Sequence, residues 1–261
     1  MRYLATFLTI LIIACAAGNV KVFDTPEDQY EYAKKLYQAE KYDQAIEAFQ
    51  TVIFRFHGTS LADSVTFYLG MCYFNQDEFI LGVGEFRRLM TNYPTSPLAD
   101  QAHYLIARSY FEDSPNNVGL EQDGVKKAIQ TIDNFLEDFP DSPYRPNART
   151  LLDSCHARLA AKDFKNGMVY FKISDFRAAR VYFEGVVTTY SIPEWVGKSL
   201  FMLAEIDQKQ GKYDDAKAKL KNLMTAFPEH EWIEKAKKEY EKVLAKADEQ
   251  QQSSTDERAQ E

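Results

Sequence analysis

The stretch "YEYAKKLYQAEKYDQAIEAFQTVIFRF", residues 30–56, decides the fold. Apolar residues recur in it at spacings of three and four on both sides of a polar turn, "QAEKY" (38–42), which is the period of an amphipathic helix. The stretch therefore reads as two helices folded back on each other. Its key places return along the chain. A closing aromatic stands at Phe56, Tyr93, Phe139, Tyr190 and Phe227, and eleven residues before each comes a small residue: Ala45, Gly82, Ala128, Ala179 and Ala216. A second small column, Ala33, Gly70, Ala107, Gly167 and Ala204, lies twelve residues earlier still in four of the five units. Small side chains at fixed places in both helices let the backbones approach where they cross.

Five units in register define a repeat protein. Pro after the closing aromatic stops one helix and a second Pro starts the next, as in "NYPTSPLADQA" (92–102) and its echo "DFPDSPYRPNA" (138–148). Two departures shape the architecture. The third unit separates its small columns by 21 residues, so nine are inserted in the loop-like, acidic "DSPNNVGLEQD" (113–123). Between Ala128 and Ala179 there are 51 residues against a pitch of 37, and residues 147–166 contain no Gly or Pro. The excess predicts one long helix from about Pro143 to Lys172, joining units three and four.

Composition excludes other classes. The chain has 261 residues, 45% hydrophobic and 27% charged, as in ordinary globular proteins. Its net charge of -8 excludes a surface that wraps nucleic acid, which needs a basic face. His57, His103, His156 and His230 are scattered without metal-ligand spacing, and no nucleophile or phosphate-loop motif is present. The chain reads as a binding protein without cofactor or metal, not as an enzyme.

The first fifteen residues, "MRYLATFLTILIIAC", carry an apolar run from Tyr3 to Ala14. As a helix that run reaches about 18 Å, short of a bilayer core of about 30 Å, so it reads as a secretory signal. Its end, "IIAC", resembles a bacterial lipobox, with Ile12 and Ala14 before Cys15. The resemblance implies that Cys15 becomes the first mature residue and carries the acyl chains, palmitate among them. A plain signal cleaved near Ala17 is the other reading. Ala16, where Asp is absent, points by resemblance to enterobacterial sorting towards the outer membrane, facing the periplasm. Cys72 and Cys155 then remain, either as buried small hydrophobes or as a pair in an oxidising compartment.

"LGMCY" (69–73) with Gly82, Phe86 and Pro94, and again "GKYDDAKAKLKNLMTAFP" (211–228), resembles the tetratricopeptide repeat. The resemblance implies an all-α, right-handed superhelix of five helical hairpins with a concave groove, closed by a cap helix at "EWIEKAKKEYEKVLAKADE" (231–249). The expected organisation is a signal peptide (1–14), a lipidated linker (15–26), repeats one to three (27–142), the long helix with repeats four, five and the cap (143–249), and a disordered tail (250–261). An aromatic holds one place in the first helix of every unit, Tyr30, Phe67, Tyr104, Phe164 and Phe201, and another stands seven residues on at Tyr37, Phe74, Phe111 and Phe171, with Gln208 the exception. In tetratricopeptide repeats these places resemble those facing the groove. Tyr30, Tyr37, Phe67, Phe74, Tyr104 and Phe111 are thus expected to line a site for extended peptides bearing Phe or Tyr. Phe164, Phe171 and Phe201 are expected either to bind a partner or to pack the superhelix. Packing is the alternative for all nine.

The lipobox, the five repeats, the insertion, the long helix and "RLAAKDFKNGMVYFKISDFRAARVYFEGVV" (158–187), with its Glu184–Gly185 pair, resemble the BamD/ComL family of outer-membrane assembly lipoproteins. That resemblance implies a scaffold of the β-barrel assembly machinery, attached to the membrane through its lipid anchor only. Its implied partners are the POTRA domains of an Omp85-type insertase and unfolded outer-membrane precursors whose final strand ends in an aromatic. A second reading is a periplasmic coordinator of envelope constriction and peptidoglycan synthesis of the YbgF/CpoB kind, whose repeats share the aromatic-Pro-x-Ser-Pro signature. Those proteins resemble a coiled coil followed by about three repeats, and no heptad run precedes the first repeat here.

Overall fold

The computed structural model describes residues 21–259, so the signal peptide and Cys15 lie outside the described residues. Within that range the chain is helical, with no strand among the described residues. Contacts divide it into two compact units, one ending at Leu89 and the other beginning at Met90. The first holds α1 (Pro26–Gln38), α2 (Tyr42–Arg55), α3 (Ala62–Asn75) and most of α4 (Phe79–Asn92). The second holds α5 (Ala99–Glu112), α6 (Asp123–Asp138), α7 (Arg145–Lys172), α8 (Phe176–Thr189), α9 (Pro193–Lys209), α10 (Tyr213–Ala226) and α11 (Ile233–Ala259).

The hairpins rest on the small-residue columns. Ala33, Ala45, Ala107, Ala128, Ala179, Ala204 and Ala216 have no exposed surface, and Gly70, Gly82 and Gly167 are buried too. At two crossings only glycine fits. A Cβ on Gly70 would stand 2.6 Å from the Phe86 ring, and one on Gly167 would stand 2.6 Å from the Phe183 ring. Four residues after the small residue of each second helix (Ala45, Gly82, Ala128, Ala179, Ala216) comes a large apolar side chain, Phe49, Phe86, Ile132, Phe183 or Leu220, all with no exposed surface. Close backbones and a large buried side chain at this place in every hairpin give the dense packing that a short repeat needs.

Four hairpins turn in the same way. Glu40, Asp77, Ser174 and Gly211 have positive φ, between 59° and 71°, directly after the first helix. The following amides bond back into that helix: Lys41 to the Leu36 carbonyl, Glu78 to Tyr73, Asp175 to Tyr170 and Lys212 to Asp207. These are left-handed caps, satisfying carbonyls that the helix end would leave open. The entries to α3, α5, α7 and α11 share another device. Three residues after the closing aromatic, Thr59, Ser96, Ser142 and His230 each accept the amide two residues on with a side-chain atom. This turn explains the echo between 92–102 and 138–148: the Ser of Pro-x-Ser-Pro starts the next helix.

The long helix is present at Arg145–Lys172, close to its expected bounds. It does not open a new half at residue 143. Its early turns pack on α5 and α6 and its last turns on α8 and α9, so it lies inside the second unit. Asp207 of α9, 1% exposed, receives Arg180 from α8 and Lys219 from α10, which ties three helices through a paired buried charge. The cap helix packs on α10 as expected. It runs on to Ala259, so the tail expected to be disordered from residue 250 is helical in the described residues. The sequence after Pro228 contains no Pro or Gly and is rich in Glu, Gln, Lys and Ala, which favour helix. Among the described residues, no helix is long and apolar enough to cross a membrane.

Candidate functional site

In the first unit the expected groove aromatics form a cluster around a residue the repeat pattern does not single out, Tyr68. Its ring stacks on Phe49 at 5.7 Å and meets Tyr30 at 6.1 Å, Tyr37 at 5.3 Å and Phe67 at 5.8 Å. Tyr30, Tyr37 and Tyr68 are half-buried, with Lys34 over the Tyr30 ring and Asn75 donating to the Tyr37 hydroxyl. Burial, helped by the neighbouring Tyr68, pushes the Tyr30 hydroxyl up to about 12, so it stays a neutral donor and acceptor. Phe67 is 5% exposed and faces Phe86 at 5.8 Å. The expectation that it lines a groove is corrected: its ring is core.

The place seven residues on has a turn-locking role in three hairpins. Tyr37 packs on Tyr42 at 5.8 Å, Phe74 on Phe79 at 5.3 Å and Phe171 on Phe176 at 5.6 Å. In each pair the second ring begins the next helix, so the two rings clasp the turn between them.

Hairpin three is different. The nine-residue insertion removes the clasping partner, and Phe111 instead lies under the guanidinium of Arg158 from α7, 3.9 Å from the ring centre. The same guanidinium donates to the carbonyls of Phe111 and Ser114. One and two turns further on, Lys162 reaches the Leu120 carbonyl and Glu121, and Lys165 reaches Asn117. Fully buried Gln122 donates to the carbonyls of Pro115, Asn117 and Leu120, closing the insertion on itself. The acidic insertion is thus a built loop docked on a basic stripe of α7.

Beside it a cleft of about 390 Å³ opens between α5 and α7. Tyr104, Arg108 and Phe111 line it from one face of α5, and Asn147, Thr150, Leu151 and Ser154 from one face of α7. Tyr104 is fixed by stacking on Tyr144 at 5.8 Å. The hydroxyls of Thr150 and Ser154 donate to carbonyls one turn back, which leaves their lone pairs to accept from an incoming amide. Arg108, salt-bridged to Glu112, supplies positive charge at the edge. Two aromatics, a cation and a row of small polar side chains suit an extended peptide with an aromatic residue. Arg108, Asn147, Thr150, Ser154 and Arg158 carry no repeat signal; Asn147, Thr150 and Ser154 leave a trace in the small polar spacing of three and four along "NARTLLDS" (147–154), and the two arginines leave none.

The remaining expected residues pack. Phe164 sits 5.4 Å from Phe183 and 5.5 Å from Trp195, and Phe171 lies near Lys209 as well as Phe176. Phe201 is 1% exposed, covered by Trp232 at 5.4 Å and by Lys235. A partner cannot reach Phe201 in this fold, so that expectation is corrected too. Cys72 and Cys155 are both free and buried, and burial pushes each thiol up to about 12, which keeps both in the protonated form.

Helical hairpins with small residues at each crossing and an aromatic at each exit define a tetratricopeptide-repeat protein, and the model of that repeat matches residues 198–230. Across residues 23–211 the chain matches the YfiO family model, described as outer membrane lipoprotein, and it belongs to that family. The match falls on the first of the two readings of the sequence. Relatives named "Outer membrane protein assembly factor BamD" include one from Vibrio cholerae, 26% identical over 84% of this chain and 94% of its own. Another, from Caulobacter vibrioides, is 26% identical over 62% of this chain, which spans only about half, 53%, of that relative. Similar solved structures include a TPR repeats protein from Bacteroides fragilis (13% identical, TM-score 0.48, 85% of this chain and 99% of the other). The TPR2AB domain of yeast Sti1 is 16% identical with a TM-score of 0.43, covering 85% of this chain and 88% of the other.

Proposed function

We propose that this chain is a scaffold of outer-membrane protein assembly, anchored through lipid at Cys15 and facing the periplasm. It binds the POTRA domains of an Omp85-type insertase and receives unfolded barrel precursors by their aromatic-ended final strand. Family membership and the assembly-factor names of its relatives support the general role. The observation that carries the precursor site is the cleft between α5 and α7, where Tyr104 and Phe111 stand opposite Asn147, Thr150 and Ser154. A terminal Phe would insert between the two rings as the anchor, while the strand's amides meet the hydroxyl row and its carboxylate meets Arg108. The tyrosine cluster of the first unit is, by itself, a second half-exposed aromatic surface with hydroxyls to offer.

Purification of the lipidated protein from its own membranes after crosslinking tests the assignment. Recovery of an Omp85-family barrel is the expected outcome. Recovery of TolA-like or peptidoglycan-synthase partners without a barrel would overturn it.

A further inference from the structure

Two clefts open in the second unit at the helix ends opposite the hairpin turns, each between consecutive inter-hairpin loops. One, of about 400 Å³, is walled by Pro94, Pro97 and Asp100 on one side and Asp138, Phe139 and Asp141 on the other. The second, of about 630 Å³, is walled by Pro193 and Glu194 and by Phe227, Pro228, Glu229 and Glu231. They are the same feature built twice, because Phe139 and Phe227 are both closing aromatics and a Pro follows each. Each cleft has a ring and prolines for a floor and carboxylates for a rim.

The carboxylates are placed against the interests of the isolated chain. Asp138 ends α6, and Glu229 stands just past the end of α10 at Ala226. A helix C-terminus carries partial negative charge and favours a cation. Neither α6 nor α10 has a basic residue in its last turn, whereas α7 and α9, which end at hairpin turns, carry Lys172 and Lys209 there. Glu194 and Glu231 share Lys198, at 2.8 and 2.7 Å, while Asp138, Asp141 and Glu229 are exposed and enter no salt bridge among the described residues, with the His103 imidazole near Asp138. Carboxylates outside any salt bridge therefore stand at both rims over an apolar floor, Asp138 and Asp141 at one and Glu229 alone at the other.

We propose that these two clefts dock an extended, lysine- or arginine-bearing segment of a partner protein. An apolar side chain of the segment rests on Phe139 or Phe227, and its cations meet Asp138 and Asp141 at one cleft and Glu229 at the other. Charge complementarity selects the partner, and the apolar floor separates it from a loose counterion cloud. This edge is distinct from the cleft between α5 and α7, so the inference stands without the precursor-binding reading.

The test is fluorescence anisotropy of the full chain with a labelled peptide alternating Lys and Leu, beside a Lys–Ser and a Glu–Leu peptide. Lys–Leu should bind at least about tenfold tighter than either control, and the advantage should shrink as salt rises. The combined variant Asp138→Asn, Asp141→Asn, Glu229→Gln alters only exposed groups outside any salt bridge and should keep the melting temperature while losing about tenfold in Lys–Leu affinity. A peptide ending in Phe, directed at the other cleft, should not compete. Equal binding of Lys–Ser, an unchanged affinity in the variant, or competition by the Phe-ended peptide would each overturn the proposal.

Discussion

Hairpins one, two, four and five turn through one left-handed residue, while hairpin three, whose helices are α5 and α6, opens into a ten-residue connection, "DSPNNVGLEQ" (113–122). The same aromatic place has opposite fates in the two kinds. Where the turn is tight, Tyr37, Phe74 and Phe171 clasp the ring that begins the next helix. Where it is open, Phe111 is handed to Arg158 of the long helix and borders a cleft. A repeat position thus fixes where a side chain sits on its helix, but its neighbours decide whether it packs or meets a ligand. The insertion and the long helix, the two departures from regular repeats, together make a place in the second unit where both aromatic columns, through Tyr104 and Phe111, reach a cleft.

Substitutions can break this comparison in graded ways. The largest effect is expected in a tight hairpin's core: Phe183→Ala empties a fully buried site and should cost roughly 3–5 kcal/mol in a denaturant melt, far more than Phe111→Ala in the open hairpin. If the two cost the same, Phe111 is core and the contrast fails. Next comes overpacking. Gly70→Ala drives a Cβ into the Phe86 ring and should destabilise by about 1–3 kcal/mol, read from the same melt, while Gly185→Ala, with open space around it, should be neutral or stabilising.

Arg158→Met probes the open hairpin itself. It keeps an unbranched apolar stem but removes the cation from Phe111 and the guanidinium that donates to the two loop carbonyls. Hydrogen exchange should speed up across residues 113–122 with a loss of about 1–3 kcal/mol, and α10 should be unaffected. Exchange unchanged in the loop would show that Gln122, Lys162 and Lys165 hold it without Arg158. The smallest effects belong to the turns: Ser174→Gly should stabilise by up to about 1 kcal/mol, and Gly211→Ala should cost about 1–2 kcal/mol, because both positions have positive φ.

Much of the fold was legible because its determinants are periodic. The small residues at the crossings recur at fixed spacing, and the absence of Gly and Pro between 147 and 166 left the long helix no place to stop. The site was less legible for a geometric reason. Phe67 and Tyr68 are adjacent, 100° apart on one helix, and spacing alone does not say which of the two turns inward. Phe67 went into the core against Phe86, and Tyr68 became the centre of the half-exposed cluster. Phe201 was lost in the same way, since the ring that covers it, Trp232, comes from the loop before the cap helix and lies outside the repeat columns. The other side of the cleft comes from α7, whose Asn147, Thr150 and Ser154 follow no repeat spacing.

The central claim is that the cleft between α5 and α7, not the clasped rings of the tight hairpins, receives the peptide. Ser154→Trp tests it most directly, since Ser154 is exposed on α7 and a large side chain there fills the cleft without entering the core. A labelled peptide copying the final strand of an outer-membrane barrel and ending in Phe should bind the unaltered chain, and Ser154→Trp should weaken it by about tenfold or more at an unchanged melting temperature. Phe74→Ala in the tight second hairpin should do the reverse, lowering the melting temperature and leaving the affinity alone. Full affinity in folded Ser154→Trp would contradict the account.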